Sequence, residues 1–163
     1  MKLKSIAVSS CFIIPSRYNG ECINHSSVTI FLNKLKTYGV AIIPFCPEQL
    51  GGLATPRAAA EIRGKTIVTQ TGEDVTQSFL NGAEITLELL KYLGVSVALV
   101  KQRSPSCGFG KIYDGTFSGT LISGEGASSG LLHQNGMTIY TEDDLEAPDF
   151  FEQWCRLYLS DEN

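Results

Sequence analysis

Val95-Ser96-Val97-Ala98-Leu99-Val100-Lys101-Gln102-Arg103-Ser104-Pro105-Ser106-Cys107-Gly108 is the stretch on which the fold turns. Its first six residues form an apolar, β-branched run, and the remainder is a polar turn ending in a thiol. This is the pattern of a buried strand that delivers a cysteine at its carboxyl end. The arrangement occurs twice earlier: Ile6-Ala7-Val8-Ser9-Ser10 leads to Cys11, and Val40-Ala41-Ile42-Ile43-Pro44-Phe45 leads to Cys46. In an open α/β sheet, ligands sit in the crevice beyond the carboxyl ends of the strands. If these strands are parallel neighbours, three thiols far apart in the chain converge on that crevice.

Helical patterns fill the intervals. Residues 26–39 place Val28, Phe31, Leu32 and Leu35 on one face, with Ser26 or Ser27 as cap and Gly39 as stop. Residues 74–93 are the strongest helix, with Val75, Phe79, Ala83, Leu87 and Leu90 at helical spacing and Gly94 closing it. A short helix is expected over residues 128–134, a last strand over 137–140 and an amphipathic helix over 149–159. Residues 65–75 alternate around Gly72 and predict a small hairpin. Residues 46–57 hold paired glycines, two prolines, Glu48 and Arg57, the make-up of a binding loop. The alternation predicts an α/β domain over residues 1–163. It is a doubly wound, three-layer, Rossmann-like fold with right-handed crossovers around an open, mostly parallel sheet of at least four strands, cysteines at strand carboxyl ends.

Composition narrows the class. The chain has 163 residues, 43% of them hydrophobic, enough for one domain with a real core. A formal charge of −4 without a Lys/Arg run argues against nucleic acid. No apolar run approaches the roughly 18 residues that span a membrane. The start Met1-Lys2-Leu3-Lys4 is basic, but residues 5–14 are broken by serines and lack a small-residue cleavage site, so they read as a first strand rather than a signal peptide. Five cysteines without secretory context point to a reducing cytoplasm. Nothing in the composition sets an oligomeric state.

No C-x-x-C occurs, and the spacing of Cys11, Cys46 and Cys107 matches no zinc-finger pattern. The case for a bound group is topological: three thiolates at one sheet edge would repel one another, and a cation or iron-sulfur cluster would relieve that cost. Soft thiolates favour zinc, copper(I) or iron-sulfur. A three-cysteine iron-sulfur site would leave one iron without a protein ligand. Against this stands plain packing, since free cysteine is among the most buried residue types. Cys11 to Arg17 also satisfies C-x5-R after the first strand, the arrangement by which cysteine-dependent phosphatases and some arsenate reductases hold an oxyanion. Here Pro15 lacks an N–H and the intervening run has no glycine.

Taken in order, Ser9-Ser10-Cys11, Arg17-Tyr18-Asn19-Gly20, Cys46-Pro47-Glu48, Gly51-Gly52-Leu53, Pro56-Arg57, Gly72 with Asp74-Val75-Thr76, Ser104-Pro105-Ser106-Cys107-Gly108 and Tyr113-Asp114-Gly115-Thr116-Phe117-Ser118-Gly119 resemble the bacterial 2-thiouracil desulfidase family. The resemblance implies a 4Fe-4S cluster on Cys11, Cys46 and Cys107, with the fourth iron open to the sulfur of a small thiolated pyrimidine. It further implies Glu48 and Ser104 as the catalytic polar pair in a non-redox desulfuration that releases sulfide. Glu48 would serve as general base toward water, and Ser104 would hold a ring N–H or carbonyl or pass a proton. Asn19 departs from the Asp common in that family, and residues 125–129 match only approximately. Arg57 and Arg103 are candidates for orienting the substrate, Cys155 reads as packing, Cys22 as a loop thiol, and His25 and His133 as surface or helix-end residues. The other functions left open are a Cys11 phosphatase or arsenate reductase and a non-catalytic metal or sulfur carrier.

Overall fold

The structure, a computed structural model, describes residues 4–160; the basic start at Met1, Lys2 and Leu3 lies outside them. In chain order, β1 (Ser5–Ser9) runs into a 3-10 turn, Ser10–Phe12, and is followed by α1 (Ser26–Thr37), β2 (Ala41–Phe45) and the short α2 (Pro47–Leu50). A hairpin of β3 (Ala60–Arg63) and β4 (Thr66–Thr69) precedes α3 (Thr76–Tyr92) and β5 (Val97–Val100). A second hairpin, β6 (Phe109–Tyr113) and β7 (Leu121–Glu125), leads to α4 (Ala127–Gln134), β8 (Thr138–Thr141) and α5 (Phe150–Tyr158).

The central sheet has four strands in the order β2-β1-β5-β8. Every neighbouring pair in it is parallel. Its side chains divide by alternation. Ile6, Val8, Val97 and Leu99 join Val28, Leu35 and Trp154 in one core, under α1 and α5. Ala7, Ala98 and Val100 join Leu90 and Leu132 in the other, under α3 and α4. A strand can bury both faces only if helices cover both, which is why these strands read as near-continuous apolar runs. The chain leaves β1 toward β2 on one side and crosses back to β5 on the other. The strand order therefore reverses between β1 and β5, and a crevice opens at their carboxyl ends. There the Lys101 N–H donates to Ser9 Oγ at 3.0 Å, tying the two strand ends together.

The expected sheet and helices are present, with ends shifted by a residue or two. The hairpin is displaced from residues 65–75: its strands are 60–63 and 66–69, and Gly64 at φ +62° takes the turn. Gly72 instead sits in the turn that lets Val75 N–H reach Ile67 O at 2.9 Å. The β6–β7 hairpin and α2 were not legible as elements. No helix among the described residues is long and apolar enough to cross a membrane.

Candidate active site

A cavity of about 550 Å³ lies beyond the carboxyl ends of β1, β2 and β5. Cys11, Cys46 and Cys107 all line it, together with Glu48, Arg57 and Ser104. The two hairpins supply the outer wall through Glu61 and Tyr113.

Each thiol is fixed by its local backbone. Cys11 sits in the 3-10 turn after β1, and its carbonyl accepts the Ile23 N–H at 2.6 Å. Cys46 is the residue before α2, whose first position is Pro47, where a missing N–H costs nothing. That helix can lie where it does because two glycines face each other across it. A Cβ on Gly82 of α3 would fall 1.9 Å from Pro47 O, and one on Gly51 would fall 2.0 Å from Ser78 O. Cys107 is held by the turn before it: its N–H and that of Ser106 both donate to Ser104 Oγ at 3.1 Å, and Gly108 N–H donates to Ser104 O at 2.8 Å. The first turn of α4 points its free donors into this loop, Ala127 N–H to Pro105 O and Ser128 N–H to Ser106 O, both at 2.9 Å. A helix start that would otherwise leave unsatisfied donors thereby locks the Cys107 loop.

The electrostatics of the thiols follow from this enclosure. Burial, then the neighbouring Cys46, pushes the Cys11 thiol up to about 12, with Lys101 offsetting part of the rise. Burial likewise raises Cys107; a hydrogen bond with Ser9 opposes it, while Cys11, Cys46 and Glu48 add to it. Cys46 is raised chiefly by burial, partly countered by backbone N–H of Gln49 and by Arg57. The thiols are near enough to resist one another's ionisation, so their thiolate forms require a compensating positive group. No three His, Cys, Asp or Glu side chains among the described residues close on a single metal ion. Three thiols lining one cavity supply the soft donor chemistry that a thiophilic metal or an iron-sulfur group takes.

Glu48, on α2, is paired with Arg57. Arg57 Nε donates to Glu48 Oε2 at 2.5 Å, and the Arg57 and Glu48 side chains are only 8% and 14% exposed. The rest of the guanidinium is spent on Thr55 Oγ1 at 2.8 Å, Ser16 O at 3.1 Å and Cys46 Sγ at 3.9 Å. Arg57 thus holds the carboxylate and the thiol loop, where the sequence suggested a substrate contact. Arg103 also borders the cavity, at a strained φ of +65° with its guanidinium on Asp143. Ser104 uses its oxygen as an acceptor for two backbone N–H groups, which leaves its hydroxyl proton to donate.

The Cys11-x5-Arg17 loop is not an oxyanion cradle. The N–H groups of Ile13 and Ile14 both return to Ser10 O at 2.8 Å, Ser16 N–H goes to Ile14 O, and Arg17 lies over the Tyr18 ring. A nucleophilic cysteine also needs a depressed pKa, the opposite of what burial does to Cys11. Cys155 packs against the α1/α5 core, and Cys22 is exposed. His25 and His133 lie beside Glu146 and Glu125. Sequence reasoning passed over Glu61, a buried carboxylate on the cavity wall, and Lys101, paired with the buried Glu142 beside Cys11. The signal for Glu61 was a charge within the short strand Ala60–Arg63.

Known proteins share this framework. The chain is 41% identical over 151 residues to YbbK of Bacillus subtilis (strain 168), an uncharacterised protein, covering 86% of this chain and 97% of that one. A solved structure of a 4Fe-4S-dependent thiouracil desulfidase, TudS, superposes with a TM-score of 0.82 at 40% identity, over 94% of this chain and 99% of that one. The family model described as 2-thiouracil desulfurase matches residues 6–144, a span that holds all three cavity thiols, Glu48 and Ser104. By sequence and by fold, this chain belongs to the 2-thiouracil desulfurase family.

Proposed function

We propose that this protein is a thiouracil desulfidase that replaces the thiocarbonyl sulfur of a small thiolated pyrimidine by oxygen, using a 4Fe-4S cluster held by Cys11, Cys46 and Cys107. One observation carries the reading: the loops beyond three strands bring the buried Cys107 and the half-buried Cys11 and Cys46, mutually opposed thiols, to one cavity that also holds the half-buried carboxylate of Glu48 and a hydroxyl. Three protein ligands leave one iron of such a cluster without a protein donor. When bound, the cluster supplies a soft Lewis acid for a thiocarbonyl sulfur. The cofactor and activity of TudS support the assignment, as does membership of the family.

The reaction balances as a hydrolysis. Water adds its oxygen to the ring carbon, the C–S bond breaks, and sulfide leaves with the protons, with no electron transferred. Glu48 takes a proton from the water, held by Arg57 so that Oε2 is occupied and the other oxygen remains for the base role. Ser104 donates its hydroxyl proton to the substrate while its oxygen keeps the Cys107 loop in place.

The test is anaerobic reconstitution with iron and sulfide, followed by assay of sulfide release from 2-thiouracil and from 4-thiouracil. A brown protein that turns over either base is expected; a reconstituted protein that releases no sulfide overturns the assignment. Serine at position 11, 46 or 107 is expected to abolish both colour and turnover.

A further inference from the structure

Glu61 is the cavity's second carboxylate, and it is built unlike Glu48. It is 8% exposed and has no cation partner among the described residues. Instead, one oxygen, Oε2, accepts the N–H groups of Gly115 and Phe117, both at 3.0 Å. Those residues belong to the loop between β6 and β7, which closes over the β3 hairpin. Arg63, two residues on and on the same face of β3, grips the same loop, with Nε and Nη2 donating to Gly115 O at 2.9 and 2.7 Å. Gly115, at φ +87°, allows the contact, since a Cβ there would lie 2.7 Å from Ile62 O.

The clamp uses half of the carboxylate. Oε1 accepts no hydrogen bond from the described residues, and Glu61 lines the cavity. A fixed oxygen of this kind, with its partner oxygen saturated by backbone amides, is an oriented acceptor without a donor. Resting on the desulfidase reading, we propose that Glu61 Oε1 accepts a ring N–H of the thiolated pyrimidine and so selects bases whose nitrogen beside the thiocarbonyl is unsubstituted. Ser104 is then left to donate toward the substrate, and the two groups read complementary edges of the ring.

The substitution Glu61→Gln separates this from a purely structural clamp. Only a Gln carbonyl oxygen can accept the Gly115 and Phe117 N–H groups, so the clamp persists while an NH2 group faces the ring N–H. Reconstituted wild type, Glu61→Gln and Arg63→Met would be assayed with 2-thiouracil, 1-methyl-2-thiouracil and 3-methyl-2-thiouracil. Binding of the corresponding uracils to each protein would be followed by calorimetry. Wild type is expected to disfavour one N-methyl isomer by about tenfold to a hundredfold in kcat/KM and in Kd, the range of a hydrogen bond to a charged acceptor. Glu61→Gln should lose that discrimination by falling on the parent and on the tolerated isomer, which both keep the recognised N–H, while the disfavoured isomer is unchanged; Arg63→Met should keep the discrimination. Equal losses on all three bases in Glu61→Gln, or loss of discrimination in Arg63→Met, would overturn the assignment. Should Glu61→Gln not fold, wild type that takes both methyl isomers as well as the parent overturns it alone. A wild type inactive on 2-thiouracil and 4-thiouracil defeats the desulfidase reading instead.

Discussion

At residue scale the site is a balance of charges withheld from water. Arg57 neutralises Glu48 where neither is well solvated. Removing the cation by Arg57→Leu is expected to lower stability by about 3 kcal/mol, because it strands a largely buried carboxylate, and to lower kcat with it. Glu48→Gln keeps the hydrogen bond but not the base; kcat should fall about 10²- to 10⁴-fold with little change in melting temperature. The thiols give a pH signature. Cys11 ionises near 9 in an unfolded chain and near 12 here, so between those values the native state holds a proton the unfolded state has lost. The contribution to stability is complete below pH 9 and declines as pH rises toward 12. Denaturant titrations of the apoprotein should show that decline, and Cys11→Ser should make it shallower, the raised Cys46 and Cys107 thiols supplying the remainder. Cys11 and Cys46 were legible as residues just past β1 and β2, Cys107 as the end of the polar turn that follows β5, and Glu48 through family likeness. The Glu48–Arg57 pairing was not, because no local spacing rule links residues that meet across an irregular loop.

At the scale of elements, positioning depends on close backbone approach. α2 carries Cys46 and Glu48, and it rests on α3 through Gly51 and Gly82. Gly82→Ala would favour the helix intrinsically but would drive a methyl into Pro47 O. We expect a net loss of about 1–3 kcal/mol and a fall in kcat larger than any accompanying Gly-to-Ala change on the exposed side of α3. Melting curves and steady-state rates on the same preparations would check both. Sequence periodicity found the long helices and buried strands, since their signal is repeated over many residues. It mislaid the hairpins: four- and five-residue strands with mixed burial offer too few alternations to fix register. α2 is one turn long and shows no periodicity at all, only a proline at its start.

At the scale of the molecule, no residue lining the cavity comes from α1 or α5, so the packing of those helices can be tested apart from the chemistry. Trp154 is 1% exposed, packed edge-on to Phe31 at 5.3 Å between α5 and α1. Trp154→Ala should cost about 3–5 kcal/mol while leaving the kcat of the folded fraction unchanged, as judged by active-site-normalised rates. The crossovers that separate Cys11, Cys46 and Cys107 have a bearing on biogenesis. No short peptide from this chain contains a complete set of donors, and the donors meet only where β2, β1 and β5 lie side by side in the sheet. On the proposed reading, iron cannot template folding in the nascent polypeptide, as zinc does in a finger. Maturation is instead a late delivery into a finished apoprotein, so iron starvation would accumulate folded, colourless molecules awaiting their metal rather than debris for proteolysis.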